Sequence, residues 1–360
     1  MKKTIIFLFA VVLVISCKTN EEKSETNKNA KNIILLIGDG MGVAHLHAAM
    51  TVTPDALNIE KLPHVGLIKT NSSDNYITDS AAGGTAISSG VKTTNGAVGV
   101  DSTGNLVKTI LEYAEDTQLS TGLVASSSVT HATPASFIAH VTSRSMNEEI
   151  ASFFLETDVD VFMGGGRQYF SDRKDKLNLL DQLINKGYEV QDTFIETYEP
   201  EGNKYAGLYY MNHPPSILNG RGNMLPRSVD IALDKLSGNN SGFFLMIEGS
   251  QIDWGGHAND IDFITTEMLD FDKAVGKALD FAEKDGNTLV IVTSDHETGG
   301  LAINGGSIRQ NMIDPAFTTD GHTGIMVPVF AYGPGAEKFS GIYHNTGIFD
   351  KMMESFGFSK

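Results

Sequence analysis

The chain has 360 residues, 41% of them hydrophobic, enough for one large α/β domain or two smaller ones with a sizeable core. Its 27 Lys and Arg against 44 Asp and Glu give a net charge of -17, which argues against nucleic-acid recognition and against general attraction to anionic membrane. An acidic chain that handles an anionic substrate needs local positive charge, and bound divalent cations would supply it.

Lys2 and Lys3 precede an apolar run over residues 5–15 that is too short to span a bilayer comfortably and has the flanks of a secretory signal. Residues 1–16 are therefore set aside as a signal peptide. The run ends Val14-Ile15-Ser16-Cys17, which resembles a bacterial lipobox, and Cys17 is the sole cysteine, so an intrachain disulfide is impossible. On that reading Cys17 becomes a lipidated first residue, the lipid anchor is the only membrane contact, and residues 17–31 form a disordered tether. A plain cleaved signal with an incidental cysteine is the alternative.

Residues 32–37 are almost wholly apolar and stop at Gly38-Asp39-Gly40-Met41-Gly42, the pattern of a strand buried on both faces that ends in a tight loop. Asp39 then lies just past a strand's carboxyl end. The same grammar recurs at 121–125, before His131 and Thr133; at 243–247, before Glu248; and at 288–293, before Asp295 and His296. Helix-like stretches at 106–115, 147–156, 227–236 and 263–284 intervene. The alternation predicts an α/β three-layer sandwich with a central, mainly parallel sheet and helices on both faces, its ligands outside the carboxyl ends of the strands. Further strands are expected at 67–70, 159–163 and 327–331. Residues 32–360 are read as one domain, with an elaboration at about 167–223 that includes a helix over 175–185, and 305–319 as a loop.

In residues 78–93 the hydroxyl of Ser80 follows an acid and precedes a run of small residues. Such a backbone turns sharply into a closely packed helix and leaves Ser80 at its N-terminus, where free amides and the dipole favour an anion. Taken alone, the stretch reads more readily as a small-residue helix capped by Thr78 or Asp79, and only the rest of the chain reverses that. Glu248, Asp253 and His257 put two carboxylates and an imidazole within ten positions. Asp253 and His257 could share a helix face, but Gly255-Gly256 between them points to a loop wrapped around something. Asp295-His296 and His322 add ligand types that suit zinc.

Ile77-Thr-Asp-Ser-Ala through Gly90-Val-Lys-Thr-Thr-Asn-Gly-Ala, His131-Ala-Thr-Pro-Ala through Arg144, Glu248 through His257, Ser294-Asp-His and Gly321-His-Thr-Gly resemble, in order, the motifs of the alkaline phosphatase family. The likeness runs over about residues 32–343. It implies hydrolysis of small phosphate monoesters through a phosphoserine intermediate at a two-zinc site, with broad tolerance of the leaving group, in an exported homodimer. Residue by residue, it implies that Asp253, His257 and His322 hold the first zinc, while Asp39, Asp295 and His296 hold a second that also binds the Ser80 oxygen. Asp39, Thr133 and Glu248 would hold a third metal, usually magnesium, and Arg144 would grip two phosphate oxygens. Two positions depart from a common form of the pattern, and both are expected to line the substrate. His131 stands where many members have an acid, which leaves the third metal open between magnesium and zinc; a hydrogen-bonding His that touches no metal is the preferred reading. Trp254 stands where others have Lys or His, and is expected to pack over the zinc loop or edge the cleft. Rival readings are a phosphodiesterase on the same fold and a lipid-anchored phosphate-binding protein without turnover. The latter should lack Ser80 or a zinc ligand. A sulfatase would need a modifiable Cys or Ser followed two residues later by Pro, which Ser80-Ala-Ala lacks.

Overall fold

A computed structural model describes residues 29–359, so the expected signal peptide and Cys17 lie outside the described residues. The fourteen strands among the described residues are β1 (Asn32–Gly38), β2 (His64–Lys69), β3 (Ser120–Ser128), β4 (Val161–Gly165), β5 (Tyr188–Gln191), β6 (Lys204–Tyr210), β7 (Phe243–Gly249), β8 (Thr288–Thr293), β9 (Glu297–Thr298), β10 (Ala302–Ser307), β11 (Met312–Ala316), β12 (His322–Thr323), β13 (Val327–Tyr332) and β14 (Gly341–His344). Ten of them form one sheet in the order β14-β2-β13-β8-β1-β7-β3-β4-β6-β5. Every pairing in it is parallel except those of β13, which runs antiparallel to both neighbours.

The apolar run of β1 serves both faces, because successive side chains of a strand point to opposite sides. Ile33, Leu35 and Ile37 enter one core, and Ile34 and Leu36 the other. Helices Ser80–Ser89, Ile110–Asp116, Asn147–Glu156 and Thr346–Phe356 cover the first core; Val43–Val52, Met224–Leu236 and Ile261–Asp285 cover the second. Each fully buried Leu or Ile contributes roughly 1.5–3 kcal/mol. The expected three-layer α/β sandwich is what results.

The structure defines one expectation more closely and corrects two. The 167–223 stretch supplies β5 and β6, which extend the sheet edge beyond β4. That pairing depends on contacts remote in sequence and leaves little periodic signal. Residues 305–319 include an antiparallel ribbon of β10 and β11 instead of a loop. Its glycine-rich, largely exposed strands lack the apolar alternation that marks a half-buried strand. The tether cannot reach residue 31, because Ala30 is buried and donates its amide to Ser355 O, while Lys31 donates to Asn287 O.

Candidate active site

Strand register assembles the site. Ile37 of β1 is level with Glu248 of β7 on one side and Thr293 of β8 on the other. Asp39 and Asp295, each two residues beyond its strand position, therefore converge with Glu248 at the carboxyl edge of the central strands. Ala125 of β3 is also level with Glu248, so the chain leaving β3 brings His131 and Thr133 to the same edge. Asp39, Glu248, Asp295 and His296 all have 0% exposure.

Three groups of side chains each place one candidate ligand atom per residue within 4.8 Å of the others: Asp253, His257 and His322; Asp39, Asp295 and His296; and Asp39, His131 and Glu248. In the first, His257 Nε2 lies 3.4 Å from Asp253 Oδ2, His322 Nε2 3.6 Å from Asp253 Oδ1, and the two Nε2 atoms 3.2 Å apart. In the second, His296 Nε2 lies 3.5 Å from Asp39 Oδ1 and 3.3 Å from Asp295 Oδ2. Ser80 Oγ joins it at 3.2 Å from the same nitrogen.

The tautomers follow from the other ring nitrogens. His257 Nδ1 faces Asp320 O at 2.5 Å and His322 Nδ1 faces Thr78 O at 2.9 Å, and a carbonyl only accepts, so both protons sit on Nδ1. His296 Nδ1 lies 3.2 Å from Thr298 Oγ1, whose own proton goes to Asp253 Oδ1 at 2.5 Å, which puts a proton on that Nδ1 too. All three imidazoles thus turn an Nε2 lone pair into the clusters, as metal-ligating histidines do. Two such lone pairs facing each other at 3.2 Å repel unless a cation or a shared proton lies between them.

The carboxylates make the same demand. Both oxygens of Asp39, Glu248 Oε1, Asp295 Oδ2 and Thr133 Oγ1 are buried without a hydrogen-bond partner. Unpaired buried polar atoms are costly, and a divalent cation satisfies several at once. Without one, burial first and then the neighbouring Asp295, Asp253 and Glu248 push the Asp39 carboxyl well up. Burial likewise raises Glu248 to about 7 and Asp295 to about 6. Asp253 goes the other way: burial pushes it up, but the His257 hydrogen bond and the nearby His296 and His322 outweigh that and hold it low. The donor set of imidazole nitrogens and carboxylate oxygens fits zinc, and the oxygens around Glu248 fit a harder ion.

Ser80 opens the helix Ser80–Ser89, capped by Asp79, whose carboxylate accepts from Ala82 N at 3.0 Å. All ten helical residues are buried, and the small-residue run is what allows it. A Cβ on Gly83 would come 3.1 Å from Asp295 Cβ, and one on Gly84 2.4 Å from Ser136 Oγ. Arg144 reaches over the helix start, with Nη1 3.1 Å from Asp79 Oδ2 and Nη2 3.2 Å from His131 Nε2. Trp254 is half-buried and meets the His213 ring edge-on at 4.9 Å and the His131 ring at 6.3 Å.

A family model described as alkaline phosphatase matches residues 30–314. Alkaline phosphatase 4 of Bacillus subtilis is 34% identical to the chain, over 90% of the chain and 88% of its own length. Among solved structures, the alkaline phosphatase of the Antarctic bacterium TAB5 is 44% identical with a TM-score of 0.89, covering 92% of this chain and 99% of that one. The chain belongs to the alkaline phosphatase family. Its activity is accordingly phosphomonoester hydrolysis, and membership of the alkaline phosphatase family implies bound metal ions. Two variants of the TAB5 enzyme, with a histidine replaced by aspartate or glutamate, hold magnesium in a site called M3.

Two parts of this alkaline phosphatase site differ from the sequence reading. Asp253 and His257 lie on a short helix, Ile252–His257, and not on a loop. Its glycines serve close packing: a Cβ on Gly255 would meet Ile264 N at 2.8 Å, and one on Gly256 would meet Thr298 O at 2.8 Å. His213 and Thr298 escaped notice altogether. His213 is held by the Ser128 amide 85 positions away at 3.0 Å, and no local spacing signals that contact. Gly40 is a third support, with φ +73 and room for no Cβ, since one would lie 2.8 Å from Asp253 Cα. Gly40→Ala is expected to cost roughly 1–3 kcal/mol of stability and to loosen the first cluster. Thermal unfolding alongside zinc content checks this; unchanged values of both would contradict the packing argument.

Proposed function

We propose that the enzyme hydrolyses phosphate monoesters by double displacement through a phosphoserine on Ser80, with Asp253, His257 and His322 holding one zinc and Asp39, Asp295 and His296 a second. The observation that carries this is the placement of Ser80 Oγ 3.2 Å from His296 Nε2, within the cluster of unpaired Asp39 and Asp295 oxygens. When bound, the zinc ions would lower the pKa of hydroxyl and water oxygens and offset the charge developing on phosphate and leaving group. Ser80 Oγ forms the bond to phosphorus in line as the bond to the ester oxygen breaks, and the alcohol departs. Water then displaces Ser80 from phosphorus, which restores the hydroxyl and releases inorganic phosphate. Two in-line displacements retain configuration.

Arg144 is positioned to grip two phosphate oxygens, since Asp79 and His131 fix its planar fork beside Ser80. The free amides at the start of the Ser80 helix add fixed positive charge at the same place. With positioning and charge neutralisation doing most of the catalysis, the leaving alcohol is weakly recognised and substrate choice is broad. Metal analysis of the purified protein with a phosphomonoester assay tests the proposal; full turnover in a protein shown to be metal-free would refute it.

Asp39, Thr133 and Glu248 would hold a third ion, and magnesium suits their oxygens. His131 comes near enough to Asp39 and Glu248 to be considered as a ligand. Arg144 argues against it: a guanidinium only donates, so His131 Nε2 must accept and the proton of the neutral ring sits on the buried Nδ1. Burial, with Arg144 and His213 adding to it, pushes the His131 pKa down to about 3, so the ring stays neutral. A protonated Nδ1 does not ligate, although here it is buried without a hydrogen-bond partner. Glu248→Gln is expected to lower magnesium content several-fold with the zinc pair retained, read by elemental analysis; equal loss of all three ions would contradict the assignment.

Residues 32–360 are proposed as one catalytic domain, exported and anchored through a lipid on Cys17. Among the described residues no helix is long and apolar enough to cross a membrane. A homodimer is proposed on the family resemblance, and the exposed apolar side chains of Val43 and Ile325, which line one surface cavity, would gain from burial in such an interface. Light scattering at micromolar concentration should give twice the chain mass; a monomeric mass would overturn it.

A further inference from the structure

A second cavity, of about 260 Å³, is lined by Lys69, Thr70, Asn71, Tyr76, Gly324 and Met326. It adjoins the metal clusters. Gly324 follows His322 by two residues, and Tyr76 precedes by two the Thr78 whose carbonyl holds His322 Nδ1. The Tyr76 ring closes over Gly324 so tightly that a Cβ there would come within 2.4 Å of it. Two residues of chain span at most about 7 Å, so the cavity wall begins within one substrate length of Ser80's neighbours.

Positive charge gathers around this cavity in a chain whose net charge is -17. Lys69 is in register with His344 across β2 and β14. Burial and the like charge of Lys69 push the Lys92 ammonium down to about 8, and His344 is lowered by burial and by both lysines, so the three groups feel one another. The described lysine ion pairs involve other lysines, and neither Lys69 nor Lys92 faces a carboxylate. Asp74, in the adjoining loop, accepts at Oδ1 from Ser72 Oγ and Asn95 N instead. Lys92 has three donors, and the carbonyl of Asn71 takes one of them. Thr70, only 3% exposed and part of the cavity wall, has an Oγ1 with no partner, as does buried Thr93 beside Lys92. Lys92, half-buried beside the like charge of Lys69 and without a counter-ion, is unfavourably placed, and unpaired hydroxyls beside it add to the cost. One anion satisfies both.

We propose that this cavity is an anion subsite that takes a phosphate or carboxylate group, held by Lys69 and the Thr70 hydroxyl of its wall, with Lys92 adding positive charge from behind Asn71. The inference rests on the phosphomonoesterase reading for its position relative to substrate. The anion has two sources: a distal acidic group on a phosphomonoester whose reacting phosphate lies at Ser80, or a free ion. The test compares a series of alkanediol bisphosphates with the matching alkyl monophosphates in the metal-loaded enzyme, in Lys69→Gln and in Lys92→Gln. For a distal group, the ratio of kcat/KM for bisphosphate over monophosphate should fall about tenfold in each variant while monophosphate turnover stays within about twofold. For a free ion, that ratio stays put, and inorganic phosphate saturates the wild-type protein at one more equivalent per subunit than it does Lys69→Gln. Lys69 is exposed, so its replacement does not threaten folding. An unchanged ratio together with unchanged phosphate stoichiometry overturns the subsite. Failure of the wild-type enzyme to turn over any alkyl monophosphate would strike at the phosphomonoesterase reading instead.

Discussion

Chelation of the purified enzyme is expected to abolish phosphomonoesterase activity, to lower its thermal midpoint by roughly 10 °C or more, and to be reversed by zinc with magnesium. The reasoning starts from the buried carboxylates. Asp39, Glu248 and Asp295 are buried together with several oxygens unpaired, and removal of the ions leaves that arrangement uncompensated. The metal-free protein should also acquire a pH dependence that the loaded protein lacks. Glu248 is raised to about 7 from 4.5, and such a carboxyl contributes stability below its unfolded pKa that is lost as pH rises through the folded value. His257 is raised to about 9, chiefly by its hydrogen bond to Asp253, and its contribution is likewise present below 6.5 and lost as pH climbs through about 9. Histidines held neutral by burial, such as His45 and His131, act oppositely but only below about 6.5, where the unfolded chain takes up protons. Between pH 6.5 and 9 the chelated protein should therefore lose stability relative to the loaded protein. His257 is partly exposed, so its share is discounted to the order of 1 kcal/mol. Parallel pH profiles of the midpoint for the two forms would show that the ligand set has been misassigned.

Much of the site is legible because each strand that carries it obeys a simple rule. An apolar run buried on both faces must end in something polar, and at Asp39, Glu248 and Asp295 that polar residue falls in a candidate metal cluster. The Ser80 helix is legible for a related reason, since only a run such as Ser-Ala-Ala-Gly-Gly lets a helix lie against Asp295 and Ser136 with every residue buried. Gly255 and Gly256 misled because glycine marks both loops and close approach. The packing of Ile264 and Thr298 decides between them, and that packing is not local. His213 and Thr298 show the general limit. Their roles come from an amide or a carboxylate that the fold brings from far along the chain, and no spacing records it. The ribbon of β10 and β11 was illegible for want of a buried face.

Ser80→Ala is expected to lose at least about a thousandfold in kcat, because on the proposed mechanism it removes the atom that bonds to phosphorus. Metal content should stay close to wild type, since Asp39, Asp295 and His296 remain in the second cluster and the first is untouched. The fold should survive as well, because Ala is a better helix former than Ser and leaves the Asp79 cap intact. Loss of zinc in parallel with loss of rate would mean that Ser80 acts through the metals and not on the substrate.

Product analysis in the presence of an amino alcohol tests the central claim most directly. A phosphoserine on Ser80 is open to attack by either water or the alcohol, so the wild-type enzyme should release phosphorylated amino alcohol alongside inorganic phosphate, in a ratio that depends on alcohol concentration and not on the leaving group of the substrate. Ser80→Ala should release inorganic phosphate alone from whatever turnover remains. If the alanine variant kept the wild-type rate and still phosphorylated the alcohol, Ser80 would not be the nucleophile.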